Sequence, residues 1–144
     1  MKILIVEDDP ASRRLMLAYL EPLGRCTEAA DGHEALSAFT WAHELGEPFD
    51  LICLDIMMPS MTGHEVLKTI RHFEEERDID SPVKVIMTTA LKDRDNVMAA
   101  FCNQCEAYLV KPLEREKLLE QIQTRGLTSA GSPRDFPFAA ARIL

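Results

Sequence analysis

The sequence predicts an α/β fold: a doubly wound, parallel sheet of five strands flanked by five helices. Short apolar runs of the kind that form buried strands alternate along the chain with segments whose apolar residues recur at helical spacing. The interval between successive strands leaves room for one helix, which favours βαβ units with right-handed crossovers. A chain of 144 residues is also long enough for one domain with its own hydrophobic core.

Five apolar runs are predicted as the strands of this sheet, at residues 2–6, 26–29, 50–54, 83–87 and 107–110. The third run is short and uninterrupted, which is typical of a strand that is buried on both faces. The second run is weakly apolar, so we expect it to form an edge of the sheet. The predicted sheet therefore has a buried centre and at least one less apolar border.

The helices are predicted from apolar residues at helical spacing. The first is expected to begin at Pro10, with Asp9 as its N-cap, and to stop near Gly24. The third ends in an acidic segment, residues 74–78, which is most simply a solvated terminus. Trp41 lies off the apolar face of the second helix and is expected to be partly exposed. The apolar residues are Ala11, Leu15, Ala18 and Pro22 in the first helix, Ala35, Ala38, Phe39 and Ala42 in the second, Val66, Leu67, Ile70 and Phe73 in the third, Val97, Met98, Ala100 and Phe101 in the fourth, and Leu118, Leu119 and Ile122 in the fifth.

Charge and hydropathy exclude several classes of function. The net charge of −8 argues against direct binding of nucleic acid or of an anionic membrane, because both require a positive face. No apolar run approaches the roughly 20 residues needed to cross a bilayer. Acids interrupt the first residues too early for a signal peptide. We therefore expect a cytoplasmic protein without a membrane segment.

The four cysteines give little indication of a metal or redox site. Cys53 lies inside the predicted central strand, where a thiol packs as a small apolar group. Cys102 and Cys105 have the spacing of a CxxC motif, but a second pair of zinc ligands is missing from the sequence. The pair closes a predicted helix instead of opening one, so the helix N-terminus that lowers a thiol pKa in redox motifs is missing as well. Packing is the favoured interpretation.

Polar residues stand where four of the predicted strands end. Because the carboxyl ends of parallel strands meet at one edge of the sheet, these residues are expected to converge on one crevice. Carboxylates that crowd together need a cation, and an open cluster of oxygen ligands suits Mg²⁺ shared with a phosphate. A hydroxyl and an ammonium opposite the acids can hold phosphoryl oxygens. The residues are Glu7 and Asp8 after the first strand, Asp55 after the third, Thr88 and Thr89 after the fourth and Lys111 after the fifth.

Within this crevice Asp55 is the candidate nucleophile. A carboxylate oxygen that is not bound to metal can attack phosphorus and form an aspartyl phosphate. The alternative is that the acids are unrelated turn residues and that Lys111 is a surface lysine. One acid at a strand end would be unremarkable, whereas four groups at the ligand-binding edge favour a phosphoryl-transfer site.

The same motifs give the sequence a family resemblance. Residues 1–125 resemble the receiver domain of two-component response regulators, and the resemblance rests on the order and spacing of the motifs as a set. It implies a flavodoxin-like strand order of 2-1-3-4-5. Residues 126–144 fall outside it and are expected to be a flexible C-terminal tail, or a peptide that docks on a partner. The motifs are Glu7-Asp8-Asp9-Pro10, Leu54-Asp55 with Pro59 and Gly63, Thr88-Thr89-Ala90, and Tyr108 with Lys111-Pro112.

The resemblance implies a role for each of the metal-site residues. Asp55 is expected to be the phosphoacceptor. Asp8 is expected to bind Mg²⁺ directly and Glu7 through water, while Asp55 and the backbone carbonyl of Met57 complete the protein ligands. The family's commonest pattern differs from this sequence in the thin second strand, in the long acidic segment at residues 74–82 and in the CxxC segment, none of which is at the crevice.

The resemblance also implies the switching residues. Thr89 is expected to be the switch hydroxyl, Lys111 the phosphate-binding cation and Tyr108 the aromatic that turns inward upon activation. A cis peptide is expected between Lys111 and Pro112. The surface formed by the fourth helix, fifth strand and fifth helix would then change shape and bind a downstream protein or a second copy of the chain.

The function expected from these residues is phosphoryl acceptance for signal transduction. The donor would be a sensor histidine kinase or a phosphotransfer protein, and the domain would catalyse only its own phosphorylation and dephosphorylation. A P-loop hydrolase and a dinucleotide oxidoreductase are excluded, because their glycine-rich motifs are missing from the sequence. A phosphatase of the aspartyl-nucleophile type would require an acid at Met57. The remaining alternative is a protein-binding module on a receiver fold that works without phosphate.

Overall fold

The computed structural model describes residues 1–90 and 104–127 of the chain. They contain one parallel sheet of five strands in the order β2-β1-β3-β4-β5. This architecture confirms the predicted fold class and the strand order implied by the family resemblance. The strands are β1 (Lys2–Val6), β2 (Arg25–Ala29), β3 (Leu51–Asp55), β4 (Lys84–Ala90) and β5 (Ala107–Lys111).

Four helices lie among the described residues and connect or follow these strands. They are α1 (Pro10–Leu20), which continues into a 3₁₀ turn at Glu21–Leu23, α2 (Gly32–Glu44), α3 (Gly63–Glu76) and α4 (Arg115–Thr124). Helix α4 corresponds to the fifth predicted helix. The fourth predicted helix, with Val97, Met98, Ala100 and Phe101, lies outside the described residues.

The sheet has a hydrophobic cluster on each face, because side chains along a strand alternate between the two faces. On the α2/α3 face, strand residues such as Leu4, Ile52 and Val85 pack against helices α2 and α3. On the opposite α1/α4 face, Ile3 and Cys53 are among the strand residues that pack against α1 and α4. Burial of one such large apolar side chain contributes about 1.5–3 kcal/mol. Two covered faces explain why β3, at the centre, is buried along its whole length.

The buried face of α1 differs from the predicted one. Met16 and Leu20 are the buried residues of this helix, whereas Leu15 is 42% exposed. Pro22 lies in the 3₁₀ turn after the helix. The prediction was wrong because residues 15–20 are all apolar, so that periodicity does not fix which side of the helix faces the sheet.

Side-chain caps fix the beginnings of the helices. Asp9 accepts a hydrogen bond from the Ser12 amide, as predicted for the first helix. Thr62 and Glu65 form a capping box at the beginning of α3, in which each side chain binds the backbone of the other residue. These caps matter for the site described below, because α1 and α3 follow the strands that carry its acids.

The acidic end of α3 is less solvated than the sequence suggested. Glu74 is only 4% exposed, so the interpretation of residues 74–78 as a solvated terminus was wrong for this residue. Its carboxylate accepts hydrogen bonds from Arg71 Nη1 at 2.7 Å and from the Val83 amide at 2.7 Å. Arg71 also donates to the Gln104 carbonyl at 2.8 Å. A buried charge therefore joins α3 to the segments before β4 and β5.

Other expectations are confirmed or stay predictions. Trp41 is 62% exposed, and β2 lies at the edge of the sheet, as predicted. Among residues 1–90 and 104–127, no helix is both long and apolar enough for a membrane span. The predicted tail begins at residue 126, and nearly all of it lies outside the described residues.

Candidate functional site

Strands β1 and β3 bring the predicted acids together at the carboxyl edge of the sheet. Val6 is the register partner of Leu54, so the residues that follow, Glu7 and Asp55, leave neighbouring strands side by side. Glu7, Asp8 and Asp55 each offer a carboxylate oxygen, and these oxygens all lie within 4.8 Å of one another. Glu7 and Asp55 are buried, while Asp8 is partly exposed. The acids form one cluster that opens to solvent on the side of Asp8.

Lys111 reaches this cluster from β5, the edge strand on the other side of β4. Its Nζ lies 2.7 Å from Glu7 Oε1 and 3.2 Å from Asp55 Oδ1. Strand β5, which carries Lys111, is separated from β3 by β4, so the lysine side chain crosses β4 to reach the acids. The ammonium is therefore the counter-ion that the structure itself supplies to two of the three carboxylates.

The electrostatics of Asp55 follow from this crowding. Burial, together with the neighbouring charge of Glu7, raises the pKa of Asp55 to about 7, although Lys111 acts in the opposite direction. Burial lowers the pKa of Lys111, but its contacts with Glu7 and Asp55 outweigh burial, so that this pKa is raised overall. Repulsion and burial therefore make the ionised carboxylates of the cluster unfavourable, and an additional cation would stabilise them.

Glu7 is held in place by the backbone around it. Its Oε2 accepts a hydrogen bond from the Asp9 amide at 3.1 Å, and its carbonyl accepts one from Arg13 Nη1 at 2.9 Å. The Glu7 amide donates to the Ala29 carbonyl of the edge strand at 3.1 Å. Helix α1, with its N-cap Asp9, thereby fixes the first acid relative to β1.

The loop after β3 folds back tightly over Asp55. The Gly63 amide donates to the Ile56 carbonyl at 2.9 Å, and a Cβ at Gly63 would overlap the Asp55 carbonyl oxygen. Ser60 adopts a left-handed conformation with φ of 69°, which closes the turn after Pro59. The side chain of Met57 is exposed and points away from the core. A glycine is required where α3 begins because the backbone of Asp55 occupies the space of a side chain.

Strand β4 carries two threonines just before its last residue, Ala90, and they lie on opposite faces of the sheet. Thr89 follows Val85 and Met87 on the α2/α3 face, is 1% exposed and donates to the Ala90 carbonyl at 3.3 Å. Thr88 is the register partner of Asp55 and lies on the α1/α4 face. The sequence placed both residues after a strand at residues 83–87, whereas β4 continues to Ala90 and includes them, and the sequence did not distinguish their faces.

Tyr108 lies on β5, on the α2/α3 face, and packs against the hydrophobic cluster there. The Cys105 thiol lies beside it and is partly buried, and burial raises the pKa of that thiol. Cys102, the other half of the CxxC motif, lies outside the described residues. The peptide between Lys111 and Pro112 is cis, as the resemblance implied. The structure therefore places Thr89 and Tyr108 on one face, and Asp55 and Lys111 at the edge of the other.

The residues present suit a hard divalent cation. Glu7, Asp8 and Asp55 are oxygen ligands of the type that Mg²⁺ prefers, and the partly exposed Asp8 leaves room for bound water. With Lys111, the three carboxylates carry a formal charge of −2 when all are ionised. A divalent cation matches that charge. The cluster thus fits the metal site predicted from the sequence.

Curated relatives of the chain come from signalling proteins. It is 36% identical over 126 residues to the "Probable methanogenesis regulatory protein FilR2" of Methanothrix harundinacea, covering 84% of this chain and 78% of that protein. It is 31% identical over 145 residues to the regulatory protein VanRB of Enterococcus faecalis, covering 100% of this chain and 60% of that protein. A match to the sensor histidine kinase GacS of Pseudomonas protegens, 32% identical over 122 residues, covers 84% of this chain and 13% of the kinase. The chain thus spans less than two thirds of VanRB and of GacS.

Solved structures share the fold. A CheY-like receiver domain protein from Methanospirillum hungatei is 30% identical with a TM-score of 0.70, and the similarity covers 86% of this chain and 91% of that one. The chemotaxis protein CheY4 of Vibrio cholerae is also 30% identical, with a TM-score of 0.65 and coverage of 85% and 96%. The response regulator receiver domain family matches residues 3–123, which include every residue of the acidic cluster and Lys111. The chain therefore belongs to the family of response regulator receiver domains, the signalling domains of two-component systems.

Proposed function

We propose that this domain accepts a phosphoryl group on Asp55 from the phosphohistidine of a sensor kinase or phosphotransfer protein. The proposal rests on the groups that surround the Asp55 carboxylate. Its buried carboxylate lies within 4.8 Å of two other acids and 3.2 Å from Lys111 Nζ. Such a site brings a nucleophilic oxygen, metal ligands and a phosphate-binding cation together in one crevice.

The proposed step is an in-line transfer. A bond forms between an Asp55 oxygen and phosphorus while the bond from phosphorus to the histidine nitrogen breaks, and its electron pair stays on the imidazole. Lys111 leaves part of its ion pair and binds a phosphoryl oxygen. Asp8, Asp55, the Met57 carbonyl and, through water, Glu7 would hold Mg²⁺, which would supply neutralising charge at the transferring group. Water later attacks phosphorus, and the bond from phosphorus to the Asp55 oxygen breaks with its electron pair staying on the carboxylate. Inorganic phosphate leaves with the hydroxyl of the water, whose remaining proton passes to phosphate or solvent.

The proposed output is a change in a protein-binding surface. The Thr89 hydroxyl now donates to its neighbour Ala90, and this weak local bond can be exchanged for one to a phosphoryl oxygen. Movement at the end of β4 would make room for Tyr108 on the same face. The surface that responds would comprise β5, α4 and the segment between β4 and β5. The net charge of −8 supports a protein partner and not a nucleic acid.

Intact mass spectrometry tests the acceptor directly. The purified chain, incubated with Mg²⁺ and acetyl phosphate, is expected to gain one phosphoryl group, about 80 Da. Asp55→Asn should show no gain, since it keeps the shape of the side chain and removes the nucleophile. The matched control is Asp80→Asn, an exposed acid distant in sequence from the cluster, which should gain the group normally.

The metal dependence provides the second arm of this experiment. Chelation with EDTA should abolish the mass gain of the wild-type chain, and added Mg²⁺ should restore it. Labelling of Asp55→Asn at the wild-type level would refute the assignment of the acceptor. A folded wild-type chain that gains no mass with Mg²⁺ present would favour a binding module that works without phosphate.

A further inference from the structure

Thr88 is a buried polar residue that the proposed transfer does not use. Its side chain is fully buried, at 0% exposure. Its Oγ1 has no hydrogen-bond partner among residues 1–90 and 104–127. A hydroxyl has one donor and two acceptor sites, and leaving all of them unpaired in a protein interior lowers stability. Valine has nearly the same shape without this cost, so the hydroxyl calls for an explanation.

The position of Thr88 connects it to the acidic cluster. It is the register partner of Asp55 on β3 and lies on the face of β4 that Lys111 crosses. Ala90, the next residue of β4 on that face, is the register partner of Lys111. Of these two side chains on the shared face of β4, only that of Thr88 offers a hydrogen-bonding atom. Thr88 therefore lies on the strand between those of Asp55 and Lys111, and on the face where these two residues form their ion pair.

The Lys111 ammonium has three donors and no acceptor. In the structure, the ammonium forms ion pairs with Glu7 and Asp55. Both of these acids also belong to the set that would hold a divalent cation. A metal and an ammonium compete for the same carboxylate oxygens, so metal binding would withdraw acceptors from a partly buried Lys111. Loss of an acceptor by an ammonium that is partly shielded from water costs free energy unless another oxygen replaces that acceptor.

We propose that Thr88 is a positioning residue, and that its hydroxyl accepts a hydrogen bond from Lys111 Nζ when Mg²⁺ occupies the acidic cluster. The Thr88 hydroxyl, which has no partner among the described residues, is then the reserve acceptor that lets Lys111 release Asp55. This inference rests on the proposed function, because it assigns a role relative to the metal and to Lys111. It concerns Thr88, on the α1/α4 face, and not the switch candidate Thr89 on the other face.

Calorimetric titration with MgCl₂ alone tests the proposal in the full chain. Thr88→Val is expected to weaken Mg²⁺ binding about 3- to 10-fold, the effect of losing one hydrogen bond to a charged group. The same variant should unfold at the same temperature as the wild type, or a higher one, without metal. Thr88→Ser, which keeps the hydroxyl, should bind Mg²⁺ within about twofold of the wild type.

A double-mutant cycle distinguishes positioning from general packing. In a Lys111→Met background, the additional change Thr88→Val should leave Mg²⁺ affinity unchanged, because the proposed hydrogen bond has already lost its donor. Equal Mg²⁺ affinity in the wild type and Thr88→Val would overturn the proposal, as would weakened binding in both Thr88→Val and Thr88→Ser. If the wild type itself binds no Mg²⁺, the metal site of the proposed function fails as well, so the two failures are distinguishable.

Discussion

Glu74 shows how one side chain far from the acidic cluster contributes to the fold. Its carboxylate accepts hydrogen bonds from Arg71 and from the Val83 amide, and the residue is almost fully buried. Arg71 in turn contacts Gln104 and Glu106, which precede β5. A buried charge whose partner is removed is strongly destabilising, more so than the net contribution of the pair itself suggests.

We expect Glu74→Ala to lower the free energy of unfolding by about 1–3 kcal/mol, because it leaves the buried Val83 amide without its acceptor and removes one of the two carboxylates paired with Arg71. Glu75→Ala is the matched control. That residue is exposed on the same helix, so its effect should stay within about 0.5 kcal/mol. Urea unfolding followed by circular dichroism measures both. Equal losses in the free energy of unfolding would show that the buried Glu74 contributes no more to stability than the exposed Glu75.

At the scale of elements, the connection from β3 to α3 determines where the acceptor lies. The backbone of Asp55 fills the space that a side chain at Gly63 would need, and the capping box of Thr62 and Glu65 begins the helix at the same point. Strand end, turn and helix start are thus packed as one unit. A change in this unit is expected to reach Asp55 directly.

Gly63→Ala is expected to destabilise the chain by about 1–3 kcal/mol, the usual cost of forcing a methyl group into a filled space. The displaced Asp55 backbone should also slow labelling by acetyl phosphate, measured by intact mass. Thr62→Ala provides the comparison, because it removes the cap at a cost of about 1 kcal/mol while leaving the Asp55 backbone untouched. A Gly63→Ala chain that is labelled at the wild-type rate would contradict the close packing of the loop.

At the scale of the whole molecule, the candidate residues for phosphoryl transfer and those for switching lie on opposite faces of the sheet. The α1/α4 face carries Asp55, Thr88 and the path of Lys111 to the acids. The α2/α3 face carries Thr89 and Tyr108, the candidates for transmitting a signal. We expect a change of charge at the carboxyl edge of the sheet to be transmitted to the opposite face through β4, which carries one threonine on each face.

The charge at this edge predicts a pH dependence for the metal. Burial and Glu7 raise the pKa of Asp55 to about 7, against about 3.9 in an unfolded chain. The metal-free fold therefore retains this proton longer than the unfolded chain does. The proton on Asp55 stabilises the folded chain fully below pH about 3.9, and this stabilisation is lost as the pH rises through about 7. Mg²⁺ requires the ionised carboxylate, so its apparent affinity should rise with pH and level off above 7.

Thermal unfolding with Mg²⁺ and with EDTA, from pH 5.5 to 8.5, measures this dependence. The stabilisation by Mg²⁺ should be small at the acidic end and grow until the pH passes about 7. Asp55→Asn removes the titrating group, so this rise should be lost in the variant. Stabilisation by Mg²⁺ that is independent of pH across this range would show that Asp55 is already ionised in the metal-free protein.

The sequence by itself determined the strands, the parallel topology and the edge at which Glu7, Asp8, Asp55 and Lys111 meet. Apolar runs and helical spacing are local patterns, and parallel topology alone brings strand ends to one edge. Residues 91–103 and most of the tail lie outside the described residues, so the fourth helix, the partner surface and any homodimer stay predictions.

Only the tertiary structure decided which residues are partners. The face of α1, the burial of Glu74 and the unpaired hydroxyl of Thr88 all depend on contacts between segments far apart in the chain. A run of apolar residues does not choose its buried side, and an acidic run does not reveal which carboxylate meets an arginine and a backbone amide. The reach of Lys111 across β4 to Glu7 likewise follows from strand order, which places β1, β3, β4 and β5 next to one another in space.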